Sequence, residues 1–84
     1  MKHINDNNFG TVAAIKKIGI SSERLRYWER ANIVVPVHIK CGTRKFRRYS
    51  EEDINKAIFV KMLVDNEGYS LEGAKRKLAE KRYE

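Results

Sequence analysis

The chain has a single cysteine, Cys41, so no internal disulfide can form and nothing in it asks for an oxidising compartment. It has one proline, Pro36, and neither repeats nor low-complexity tracts, which leaves no linker to separate domains. Its longest apolar run, Ile33 to Val37, falls far short of the roughly 20 residues that cross a bilayer. The start, "MKHINDNNFG", lacks the apolar segment and cleavage pattern of a secretory signal, so a cytoplasmic location is expected, without a membrane partner. Histidine occurs only as His3 and His38, no glycine-rich phosphate loop is present, and carboxylates never cluster with a nucleophile; the chain is not expected to be an enzyme or to need a cofactor. Cys41, His38 and His3 lack the spacing of a tetrahedral site, so no metal is expected either.

What is present is positive charge in one place. The 84 residues carry a net charge of +7, and a hydrophobic fraction of 42% is too high for a disordered polyelectrolyte. Between Arg24 and Arg48 lie eight cations opposed only by Glu29, while cations and anions cancel over the rest of the chain. Tyr27, Trp28 and Phe46 are interleaved among those cations. A charge serving solubility would be spread out; a concentrated basic segment favours a polyanion, nucleic acid first. RNA is the weaker expectation, because no aromatic platform stands out among the strands.

The chain reads as one small domain over residues 9–81, between a frayed start, 1–8, and a short end, 82–84. Three helix starts share one signature. In "ISSERL", "YSEEDI" and "YSLEGA" a serine (Ser21, Ser50, Ser70) stands where its hydroxyl can accept from a first-turn amide. An apolar pair flanks each serine as a hydrophobic staple: Ile20 with Leu25, Tyr49 with Ile54, Tyr69 with Ala74. Upstream, "TVAAIKKIG" places Val12, Ile15 and Ile18 on a short first helix ended by Gly19, and Gly19–Ile20–Ser21 leads straight into the second. This is the spacing of a helix-turn-helix. The second helix spans about 22–31, with Leu25 and Trp28 inward and Asn32 as a left-handed stop. "IVVPVHI" reads as a strand that Pro36 confines to an edge, "KCG" as a turn and "TRKFRRY" as the returning strand. A third helix over 51–66 has an inner stripe of Ile54, Ala57, Ile58 and Met62, widened by Phe59, Val60, Leu63 and Val64. A fourth follows "NEGYS" with Leu71, Ala74 and Leu78 inward. The expected fold is mainly α: a winged helix-turn-helix of four helices, with a two-stranded β-hairpin wing between helices 2 and 3.

With "SSERLRYWERANIVVP", "FRRYSEEDI" and "EGYSLEGAKRKL" read in order, the chain resembles the DNA-binding domain of the MerR family of bacterial transcription regulators from about Phe9 to Leu78. The resemblance implies backbone contacts by Arg26 and Tyr27, base reading by Arg24, and a wing contact by Arg47. Phe46 stands where the family often has Tyr, Asn32 where Gly is usual, and His38 where a basic residue is frequent. The spacing from Phe9 to Ser21 is longer than the family pattern. Family members dimerise through a long helix beyond this domain and then carry an effector-sensing region. Neither is seen in these residues, so ligand-controlled promoter distortion is not expected of them.

The expected function is sequence-specific binding of double-stranded DNA as a transcriptional regulator in the bacterial cytoplasm, at the nucleoid. The second helix enters the major groove and the wing, 33–49, lies on phosphates. The expected interface is Ser22, Arg24, Arg26, Tyr27, Arg30, His38, Lys40, Arg44, Lys45, Phe46, Arg47 and Arg48. Trp28 belongs to the core rather than to stacked bases, Glu29 pairs with a neighbouring arginine, and Tyr49 and Tyr69 act as staples. The bland reading of the wing cations is a solvated edge that discourages sheet aggregation. Two rival functions stand beside this one. One is a small architectural, excisionase-like protein that bends DNA; the other is a protein-interaction module using the apolar helix 51–66, through which a homodimer or a hetero-partner would join.

Overall fold

The computed structural model describes residues 8–82. The expected frayed start lies outside them except for Asn8, and the last two residues of the expected C-terminal end do so as well.

The first helix, α1 (Thr11–Ile18), ends at Gly19, whose φ of 83° is the left-handed conformation a glycine adopts without strain. The amides of Gly19 and Ile20 both return to the carbonyl of Ile15, closing the helix end. Ser21 follows at once, its Oγ accepting from the Arg24 amide at 3.1 Å, and starts α2 (Ser22–Arg30). The second helix closes by a Schellman motif. Asn32 sits at φ 64°, its amide donates to Glu29 O, and the Ile33 amide donates to Trp28 O at 2.9 Å. That turn sends Ile33 and Val34 into the core, where both are buried. The expected strand over 33–39 therefore starts later: β2 is Val37–Cys41. The cause is physical, since residues committed to the core cannot also lie along an exposed edge, and Pro36 has no amide to pair.

β2 pairs antiparallel with β3 (Arg44–Ser50) from Val37↔Arg48 to Cys41↔Arg44, and Gly42 at φ 66° makes the turn between them. This is the expected wing. A short strand before α1, β1 (Asn8–Phe9), adds to the other edge of β3 through Asn8↔Ser50 and Phe9↔Tyr49, giving the order β1-β3-β2.

Ser50 ends β3 and caps α3 (Glu51–Lys61), accepting from the Asp53 amide at 3.1 Å. Glu51, Glu52 and Asp53 occupy the first turn, where the helix dipole favours negative charge. The helix then widens into a π turn, Met62–Asn66. Its buried stripe is Ile54, Ala57, Val60 and Leu63; the expected Ile58 and Met62 face outward instead. A three-residue step keeps the stripe against α1 and α4, whereas the four-residue step from Ile54 to Ile58 leaves it. In α1, Val12 is likewise exposed while Ala14 and Ile18 face the core. Ser70 accepts from the Gly73 amide at 3.0 Å and starts α4 (Leu71–Arg82), which buries Ala74 and packs Leu71 and Leu78 on the core.

All three serine caps expected from the sequence are formed. The residues expected to form the staples all join the core: Ile20, Leu25, Tyr49, Ile54 and Ala74 are buried, and Tyr69 packs against the cluster they belong to. Trp28, Tyr49, Leu25, Val34 and Val60 form the centre of a single apolar core where α2, α3 and the end of β3 converge.

Candidate nucleic-acid interface

At about 100° per residue, burying Leu25 and Trp28 turns the opposite side of α2 to solvent. Ser22, Glu23, Arg26, Tyr27 and Arg30 occupy that side and are exposed. The Arg30 guanidinium lies 5.9 Å from the Tyr27 ring centre. Only two of the nine helical residues are buried, worth about 1.5–3 kcal/mol each, so α2 has little apolar surface to hold its orientation. Its flanks supply the rest.

On one flank, Arg24 grips Asp65 of the π turn through two bonds of 2.9 and 3.1 Å, with its guanidinium 5.0 Å from the Trp28 ring centre. The Arg24 hydrogen bonds hold the Asp65 carboxyl below its ordinary pKa, aided by the charges of Arg24 and Lys61. On the other flank, Glu29 joins the helix to the wing. The Tyr49 hydroxyl donates to Glu29 Oε2, and Arg47 Nε lies 3.1 Å from Glu29 Oε1. The Arg47 approach is an ion pair without an aligned N–H···O bond, since Nε makes no hydrogen bond of good geometry. Burial, and then the hydrogen bond to Glu29, push the Tyr49 phenol up to about 12.

The wing has two chemically different faces, because residues paired across strands share a face and neighbours along a strand alternate. His38 with Arg47, and Lys40 with Lys45, make one face of basic residues only. Since Arg47 meets Glu29 from this face, it continues the exposed side of α2. The other face carries Val37 with Arg48, Ile39 with Phe46, and Cys41 with Arg44. Its Val37, Ile39 and Phe46 are exposed, and the Arg44 guanidinium stands 5.8 Å from the Phe46 ring centre.

The expected interface thus divides. Ser22, Arg26, Tyr27 and Arg30 share the outer side of α2; His38, Lys40, Lys45 and Arg47 share the adjoining wing face. Arg44, Phe46 and Arg48 lie on the opposite wing face, and Arg24 is on the helix flank with Asp65. The expected Glu29–arginine pair is present with Arg47. Two residues were missed. Glu23 lies in the middle of the exposed helix side, which helical spacing alone would have revealed. Asp65 reaches Arg24 through the π turn, and no pattern in the sequence signals that.

A family model described as "MerR HTH family regulatory protein" matches residues 11–81. The chain belongs to the MerR HTH family. The match runs from the start of α1 almost to the end of α4 and so contains the helix-turn-helix, the wing and the π turn. At the level of the family this is a DNA-binding regulatory domain, and the winged helix-turn-helix seen here is the fold for it. A search of the curated proteins found no match. Among the described residues no group of three or more His, Cys, Asp or Glu side chains is placed to hold a metal ion, Cys41 is exposed, and His3 lies outside them. No described helix is long and apolar enough to cross a membrane.

Proposed function

We propose that this MerR HTH domain binds duplex DNA sequence-specifically as a transcriptional regulator in the cytoplasm, with α2 in the major groove and the wing along the phosphates. One observation carries the reading: the Glu29–Arg47 contact joins the outer side of α2 to the basic wing face, so the two adjoin as one surface on which cations outnumber Glu23 and Glu29. Arg26, Tyr27, Lys40, Lys45 and Arg47 take the phosphates, which fixes register. Ser22 and Arg30 reach base edges, each good bidentate arginine contact giving about 1–3 kcal/mol of discrimination. Arg24, held by Asp65, stands beside the groove rather than in it.

Selection of bound duplexes from a random pool, followed by affinity measurements over a salt series, tests this. Enrichment of a defined sequence is expected, with log affinity falling linearly against log salt at about 0.9 per phosphate contacted. No enrichment, or an affinity indifferent to salt, sinks the reading. Circular-permutation mobility of the selected site reports whether the protein also bends it, as an architectural role requires. A second reading rests on Ile58 and Met62, an exposed apolar pair one turn apart on α3 and the π turn, as a contact for another chain. A palindromic selected site would report pairing of two copies.

A further inference from the structure

We propose that Glu29 and Tyr49 are positioning residues for DNA binding: they hold Arg47 with Nε turned inward, so that its outer guanidinium nitrogens meet a phosphate in a fixed geometry. The inference rests on the DNA reading above and deepens it. Arg47 as a whole is 36% exposed in its side chain, yet its Nε is fully buried and lies 3.1 Å from Glu29 Oε1. The exposed part is therefore the other part of the side chain. The contact with Glu29 is one of charge rather than an aligned hydrogen bond, but a guanidinium is a rigid, planar fork of five N–H donors, so holding its buried inner edge there restricts where the outer edge points.

Glu29 can serve as that anchor because it is itself held. Its side chain is only 14% exposed, and its second oxygen accepts from the hydroxyl of Tyr49, a residue 1% exposed and rooted in the core between Phe9 and the start of α3. The chain of contacts runs from core to phenol, carboxylate and guanidinium, crossing from β3 to α2 and back to β3. His38, opposite Arg47 on the same wing face, and Lys45, two positions earlier, have no such anchor among the contacts described. Lys45 is a point charge on a flexible stem, whereas Arg47 is preorganised and loses less side-chain freedom on binding.

The sign of one substitution separates this from a bland role. An acid near a DNA-binding surface repels phosphate, so if Glu29 is only a surface charge, Glu29→Gln tightens binding. If it positions Arg47, the same change weakens binding about two- to tenfold, the range for freeing one ordered side chain. The experiment measures affinity of the wild type, Glu29→Gln, Tyr49→Phe, Arg47→Ala and the Glu29→Gln/Arg47→Ala double variant for a labelled mixed-sequence duplex. Trp28 fluorescence serves as the control for folding. Tyr49→Phe keeps the ring in the core and should also weaken binding; a staple alone would leave it unchanged. With Arg47 gone, Glu29→Gln should cost nothing further, because residues acting through one contact are non-additive. Should Glu29→Gln fail to fold, Tyr49→Phe decides. Tighter or equal binding by either single variant, or additive losses in the double, overturns the proposal while leaving the DNA reading intact. Failure of the wild type to bind duplex overturns the DNA reading itself.

Discussion

Arg24 on α2 and Asp65 in the π turn, 41 positions apart, close a two-bond fork of 2.9 and 3.1 Å. It ties the first turn of α2 to the segment between α3 and α4. An arginine that the family resemblance assigns to base edges is thereby engaged with an acid. The π geometry places that acid, since a wider turn shifts every later side chain around the helix axis.

Asp65→Asn should therefore release Arg24 and remove an anion beside the interface. Duplex affinity should rise, and the slope of log affinity against log salt should steepen by about one phosphate contact. The stability cost should be slight, because both partners are about one-third exposed and exposed pairs contribute little. The same pair sets an acid dependence. Asp65 titrates below its ordinary value, so its contribution is present above about pH 4 and is lost as pH falls through the lower folded value. Thermal melts of both proteins between neutral and acid pH check this. The acid loss should be smaller in Asp65→Asn, and unchanged affinity would show that Arg24 has no reach to DNA.

Tyr49 sets an alkaline dependence of the opposite sense. Its folded pKa is raised from 10.0 to about 12, chiefly by burial. The neutral phenol is favoured by folding, so that part of the stability is whole below pH 10 and is lost as pH rises through about 12. In an ultraviolet titration of the phenolates, a late step near pH 12 should belong to Tyr49. Tyr49→Phe should remove that late step and flatten the decline of the melting temperature between these pH values.

The helix ends are where the sequence is most legible. Ser21, Ser50 and Ser70 are read correctly because a cap and its staple involve only neighbours within five residues, and Asn32 because its left-handed turn is a local backbone property. What is not legible depends on distant partners. Val34 fits a strand by propensity, but its place in the core removes it from the sheet. Ile58 and Met62 fit an inner stripe, yet which face of α3 is inner depends on where α1 and α4 dock. The split of the candidate interface is half legible: alternation puts Lys45 and Arg47 on one face of β3, but only the fold shows that this face joins α2.

Asn32 offers a direct test of the local part. A non-glycine residue at positive φ costs roughly 1–2 kcal/mol, less for Asn, so Asn32→Ala should destabilise the domain by about 1 kcal/mol. Asn32→Gly should be neutral or slightly stabilising, because glycine takes that conformation freely. Denaturant unfolding followed by Trp28, the only tryptophan and a buried one, measures both. Equal effects of Ala and Gly would mean that the Asn side chain, rather than its backbone, is what matters there.

The two wing faces make the last prediction, which compares neighbours of equal charge. Arg44 and Lys45 are adjacent in β3, both exposed, and point to opposite faces. Lys45 lies with Lys40 and Arg47 on the basic face that adjoins α2; Arg44 lies beside Phe46 on the apolar one. If the basic face lies along the phosphates, Lys45→Ala should lower affinity for all duplexes alike and reduce the salt slope by about one. Arg44→Ala removes the same charge one residue away and should leave the slope unchanged, with only the weak loss expected of a distant, screened cation. A filter-binding series for the two variants at several salt concentrations measures the difference. Equal slopes would mean that DNA senses net charge rather than a face, and the wing would then be no more than a soluble edge.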